Sequence, residues 1–142
     1  MWGVPFESSQ FRMELTMQHN PVGWFEIYVK DMDRAARFYQ GVLGTKLDKL
    51  DKPAPGISEM RTFPMERNGT GAAGALAKME NGPSGGNGTI VYFTCADCAV
   101  EAKRAPSNGG KIMKDKFSIG QYGYIAIVTD PDGNAVGLHS MQ

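Results

Sequence analysis

Three features of the chain invite a chemical reading, and two of them fail on context. Cys95-Ala96-Asp97-Cys98 has the C-x-x-C spacing of a redox pair or of half a zinc site. A second pair is missing, and the two histidines, His19 and His139, lack zinc-finger spacing. The expected roles are structural: a strand thiol at Cys95 and a thiol in the first helical turn at Cys98. Gly69-Thr-Gly-Ala-Ala-Gly74 matches G-x-G-x-x-G. That motif cradles a dinucleotide only between a strand and a long helix, and here Pro83 and its neighbouring glycines follow too soon. A hairpin and a short strand are expected instead. The third feature is Trp24-Phe-Glu-Ile-Tyr-Val29, whose alternation puts Trp24, Glu26 and Tyr28 on one face of a strand and Phe25, Ile27 and Val29 on the other. A carboxylate between aromatic rings can anchor an organic ligand or act as a general base.

The elements that hold these residues can be placed by periodicity and punctuation. After the first strand, Asp31 and Asp33 offer helix caps. Apolar residues then recur from Met32 to Leu43 at helical spacing, and Gly44 stops the helix. Strands are expected at 46–50, 58–63 and 74–79, with Asn68-Gly69 as a turn. Residues 80–88, E-N-G-P-S-G-G-N-G, read as a flexible connector. A strand at 90–95, a helix capped by Asp97 and running to about Ala105, a stop at Gly109-Gly110 and a strand at 111–114 follow. Strands at 122–129 and 135–140 are joined by the turn Asp130-Pro-Asp-Gly-Asn134. A shift of 66 residues lays Asp31 on Asp97, Ala36 on Ala102, Gly44 on Gly110 and Leu47 on Met113. An internally duplicated α+β domain is the economical reading.

Bulk properties limit the partners. A chain of 142 residues makes one domain with a real core, and 15 basic against 15 acidic side chains create no net field for nucleic acid or anionic lipid. The segment before Pro21 mixes charges into its apolar residues, so neither a signal peptide nor a membrane span is expected. The expected location is cytoplasmic. Residues 1–21 are expected to form an N-terminal arm, with Met13 and Met17 as alternative starts. A single domain over 22–142 then comprises a first module of about 22–80, the linker 80–88 and a second module of about 89–141.

Val29-Lys-Asp-Met-Asp-Arg-Ala-Ala-Arg-Phe-Tyr-Gln-Gly-Val-Leu-Gly44 resembles the first strand and helix of the vicinal oxygen chelate superfamily, the group of glyoxalase I, bleomycin-resistance proteins and extradiol dioxygenases. Gly109-Gly110 and Asp130–Asn134 agree in the second half. Asn20 to Ile27 and Gly137 to Ser140 resemble its glyoxalase-related subgroup. The resemblance implies two βαβββ modules in a curved mixed sheet with a concave pocket. It also implies a divalent ion held by His or Glu from the first and last strand of each module. Counting from the motifs, those ligand positions fall on Trp24, on Ala77 or Lys78, on Val91 and on Gly137. None is a metal ligand, so no metal and no cofactor are expected.

Residues two apart on a strand share a face, so Trp24, Glu26 and Tyr28, Val91, Phe93 and Cys95, and Gly137 and His139 are expected around one pocket. Three readings follow from the residues. One is a metal-free protein that binds a small, aromatic or apolar molecule. Another is an enzyme: a metal-free lyase or isomerase with Glu26 or His139 as base, or a glyoxalase-like metalloenzyme with displaced ligands. The last is an interaction module without a ligand. The resemblance further implies a homodimer.

Overall fold

The computed structural model describes residues 19–142. Residues 1–18, with most of the expected arm and both alternative start methionines, lie outside the described residues. The first module comprises β1 (Val22–Tyr28), α1 (Met32–Leu43), β2 (Asp48–Lys49), β3 (Glu59–Thr62) and β4 (Ala73–Lys78). The second comprises β5 (Thr89–Thr94), α2 (Cys98–Arg104), β6 (Lys111–Ser118), β7 (Tyr124–Thr129) and β8 (Ala135–Ser140). All strands form one sheet in the order β2-β3-β4-β1-β5-β8-β7-β6. In each module the first strand runs parallel to the last, and the modules meet where β1 pairs antiparallel with β5. The architecture is the duplicated α+β fold expected from the sequence.

Both helices start and pack alike. Asp31 caps α1 by accepting from the Arg34 amide at 3.0 Å, and Asp97 caps α2 by accepting from the Ala99 amide at 3.0 Å. Gly44, left-handed at φ 66°, ends α1. One turn after each cap a small apolar stripe is buried: Met32 and Ala36 against Leu76, Cys98 and Ala102 against Ala126, Val128 and Leu138. These are equivalent positions under the 66-residue shift. The shift fails beyond the helices. Gly109, at φ 93°, takes the left-handed position rather than Gly110. Met113 is 63% exposed while Ile112 joins the core as Leu47 does. The offset arises before β6: α2 spans 7 residues and is followed by a 3-10 turn at Pro106–Asn108, whereas α1 is a single 12-residue helix.

The expected connector is more ordered than its composition predicts. Gly85–Asn87 forms a 3-10 turn, and the Tyr28 amide donates to the Gly88 carbonyl at 2.6 Å, tying the connector to the end of β1. Gly69-x-Gly-x-x-Gly runs into β4, which contains its last glycine, and not into a helix, so the dinucleotide reading has no structural support. No helix among the described residues is long and apolar enough to cross a membrane.

The two caps make stability depend on pH. The Arg34 amide holds the Asp31 carboxyl below its usual range, and Lys116, 2.9 Å away, does so first for Asp97. Because the folded values lie below the unfolded one, the stabilisation is complete above the ordinary carboxylate range of about 4 and is lost as pH falls through the lowered values. Asp31→Ala and Asp97→Ala should each lower the Tm by a few degrees at neutral pH. Urea unfolding at stepwise lower pH should show their deficit against wild type closing; a deficit that persists after the carboxylates titrate contradicts this assignment.

Candidate functional site

The sheet face turned away from the helices carries the candidate site. On β1 it presents Trp24, Glu26 and Tyr28, and their β4 partners are Ala73, Ala75 and Ala77. On the other side Trp24 lies opposite Tyr92 and Glu26 opposite Ile90. Gly137 and His139 of β8 lie level with Tyr92 and Thr94 of β5. The alanines of β4 leave room for the large side chains of β1. Tyr28, Met60, Ala75 and Ala77 form a buried cluster there, with Trp24, Leu50, Ile57 and Ile90 packed around it.

At the centre is Glu26, only 9% exposed. Its Oε2 accepts from the Trp24 indole N–H at 3.0 Å, and its Oε1 accepts from the Tyr28 hydroxyl at 2.6 Å and from the Tyr92 hydroxyl at 3.4 Å. Burial, followed by the adjacent Glu26 charge, pushes both phenols well above their usual range, so they remain protonated donors. The ion pairs among the described residues are Arg61 with Asp33 and Glu59, and Lys116 with Asp97. None involves Glu26. Among the described residues the buried carboxylate is held by neutral donors, which fill three of its roughly four lone-pair directions.

Of the expected residues, Trp24, Glu26, Tyr28, Gly137 and His139 lie on this face and three lie on the other. Val91 lies opposite Phe25, whose ring meets Phe63 at 5.6 Å on the helix side. Phe93 and Cys95 pack against the cluster around α2. The face of β5 is thus Ile90, Tyr92 and Thr94, one residue out of step with the expectation. Counting back from Asp97 introduced the slip, and in a strand one residue reverses every side chain. The 66-residue shift contained the right answer, since it lays Trp24 on Ile90 and Glu26 on Tyr92. Tyr92 is the functional candidate that the sequence reading missed.

His139 and Glu26 share the face without meeting. In the sheet register they stand two strands and four residues apart, about 16 Å by strand spacing. The His139 Nε2–H donates to the Tyr122 carbonyl at 2.6 Å. The cysteines are free: Cys98 is buried, and burial pushes the Cys95 thiol up to about 12, which keeps it a neutral thiol rather than a nucleophile. A surface groove of about 570 Å³ between α1 and the connector shares only Tyr28 with this site; its Asp31 carboxylate is the α1 cap.

The positions that would hold the family's ion are Trp24, Ala77, Ile90 and Gly137; Ala77 faces the cluster and Lys78 does not. Indole, methyl, sec-butyl and hydrogen offer no ligand atom. Among the described residues no group of three or more His, Cys, Asp or Glu could hold a metal ion. These residues do not fit a divalent cation at that place.

Gly137 has a different task. The Tyr92 ring lies directly on it, and a Cβ there would overlap the ring carbons. Gly137→Ala should displace Tyr92 from Glu26 and destabilise the fold by about 1–3 kcal/mol through overpacking. Urea unfolding measures this, and wild-type stability for Gly137→Ala would mean the ring does not rest there.

Comparison with known proteins agrees with this architecture. CFP32 of Mycobacterium tuberculosis (strain CDC 1551 / Oshkosh), by name a candidate glyoxylase, is 32% identical over 120 residues, 81% of this chain. The chain spans 43% of the length of that relative. A glyoxylase-like domain-containing protein of Didymella fabae is 28% identical over 104 residues, covering 73% of this chain and 80% of its own. Among solved structures, methylmalonyl-CoA epimerase from Mycobacterium tuberculosis superposes with TM-score 0.62 at 17% identity, covering 86% of this chain and 88% of the epimerase. A Streptomyces coelicolor methylmalonyl-CoA epimerase in complex with 2-nitronate-propionyl-CoA gives TM-score 0.59 at 18% identity, covering 85% and 96%. The family description Glyoxalase/Bleomycin resistance protein/Dioxygenase superfamily matches residues 22–138. Matched over that span and folded as two βαβββ modules in one sheet, the chain belongs to the glyoxalase/bleomycin resistance protein/dioxygenase superfamily.

Proposed function

We propose that the protein binds a small organic molecule on the concave face of its sheet without a divalent ion. Glu26 is the polar anchor, and Trp24, Tyr28 and Tyr92 are the aromatic walls. The supporting observation is the buried Glu26 carboxylate, held by three neutral donors and keeping one acceptor direction on Oε2. A few polar groups in an otherwise apolar, aromatic surrounding is the make-up of an organic-ligand site. The acyl-CoA complex of the Streptomyces epimerase and the glyoxylase names of the sequence relatives support small molecules as the ligand class.

A lyase or isomerase that moves a proton with Glu26 is the second reading, favoured by the two protonated phenols beside the carboxylate, which are suited to donate to a developing oxyanion. It ranks below binding because Oε1 already accepts from both phenols. His139, fixed to the Tyr122 carbonyl, serves as a second polar contact at the far end of the face.

A cytoplasmic homodimer completes the proposal. Phe38, Val42 and Leu43 are 58%, 65% and 56% exposed on α1, leaving apolar surface available for a second subunit. Light scattering over a dilution series should give twice the chain mass, and a concentration-independent monomer mass rejects the dimer.

Ligand binding is tested by thermal-shift screening of aromatic and 1,2-dioxygenated compounds, with and without chelator. Hits should be insensitive to chelation. Glu26→Gln should retain a folded circular dichroism spectrum and weaken them about tenfold or more, the usual worth of a hydrogen bond to a charged group. His139→Ala should weaken them less. Hits that bind both variants as tightly as wild type would make these residues structural.

A further inference from the structure

We propose that the concave site selects a protonated amine: an ammonium group seated on Glu26 and flanked by Trp24, Tyr28 and Tyr92, with the apolar body of the ligand against the partly buried Trp24 and Ile90. This inference rests on the binding role proposed above and names the ligand chemistry.

It follows from a charge without an ionic partner among the described residues. Glu26 is buried, and its three hydrogen bonds come from an indole and two phenols, none of which carries charge. Isolated buried ions lose their hydration, which neutral donors recover only in part. No Lys or Arg on the neighbouring strands faces Glu26. Its β4 neighbours are alanines, its β5 neighbours are Ile90 and Tyr92, and β8 contributes Gly137 and His139. Arg61 lies opposite Leu76, on the helix side, and pairs with Asp33 and Glu59. Lys114 lies four strands from β1, roughly 19 Å by strand spacing, with its ammonium 4.5 Å above the Phe117 ring.

The surrounding groups discriminate among ligands. Trp and Tyr rings attract a cation through their quadrupoles, most strongly when water is excluded. The one open direction on Oε2 can accept from an ammonium or from an alcohol, but only the ammonium brings a charge that offsets the buried carboxylate. A carboxylate or phosphate would face a buried like charge.

Three probes of similar shape separate these cases: 2-phenylethylammonium, 2-phenylethanol and 3-phenylpropionate. Each is titrated into the 15N-labelled 142-residue protein, following the indole N–H resonance of Trp24, identified with Trp24→Phe. The ammonium should shift this resonance and bind at least about tenfold more tightly than the alcohol, with the propionate weakest. Glu26→Gln should bring ammonium and alcohol to near parity, whereas Tyr92→Phe, which keeps the carboxylate, should preserve the preference. If Glu26→Gln does not fold, the wild-type ranking decides alone. Alcohol or propionate binding as tightly as the ammonium, or a preference unchanged in folded Glu26→Gln, overturns the amine inference and leaves small-molecule binding standing. A Trp24 resonance unmoved by all three overturns both.

Discussion

The antiparallel pairing of β1 with β5 is the contact on which the rest of the molecule depends. Among the described residues it is the one strand pairing that joins the two four-stranded halves of the sheet, β2-β3-β4-β1 and β5-β8-β7-β6. Hydrogen bonds from the Thr94 amide to the Pro21 carbonyl at one end and from the Tyr28 amide to the Gly88 carbonyl at the other extend it past the strands. The same seam sets the site. A register shift between Val22 and Trp24 brings Trp24 opposite Tyr92, and this puts the Tyr92 hydroxyl at the Glu26 carboxylate, 66 residues away in the chain. Such a contact forms only after a long loop has closed, so the site comes into being with the tertiary fold and not with either module alone.

The concave face exchanges one kind of chemistry for another. In a metal site, charged or strongly polar ligands converge on an ion that neutralises them. Here the corresponding positions hold Trp24, Ala77, Ile90 and Gly137, and the polarity is concentrated in one carboxylate set between rings. Small residues are as necessary to this arrangement as large ones. Ala75 and Ala77 leave space beside Glu26 and Tyr28, and the missing side chain of Gly137 lets the Tyr92 ring lie against the backbone of β8. The dense packing of a sheet face makes each ring position dependent on the hydrogen or methyl opposite it.

Helices and turns were legible because their signals are local. An aspartate before an apolar stripe caps a helix wherever it stands, and Asp31 and Asp97 do so; Asp130 closes its turn on the amides of Asp132 and Asn134, as its sequence indicates. The fold class and the duplication rested on such signals and on the family resemblance. Within β1, alternation correctly put Trp24, Glu26 and Tyr28 on one face. Period-2 patterning stops being informative where a strand is apolar on both sides. In Ile90-Val-Tyr-Phe-Thr94 only the hydroxyls of Tyr92 and Thr94 distinguish one face from the other, too weak a signal to choose between Val91 with Phe93 and Ile90 with Tyr92.

By itself, then, the sequence determined where the chain turns, which segments become helix or strand, and that the inherited ligand positions carry no ligand atoms. Tertiary structure alone decided which face of β5 meets Glu26, that His139 is held by the Tyr122 carbonyl away from that carboxylate, and that Gly137 serves as the bed for Tyr92. The physical reason is one of range. Caps, turns and periodicity act over a few residues, whereas facing and proximity across a sheet follow from register, and register is fixed by bulges and packing between strands far apart in the chain.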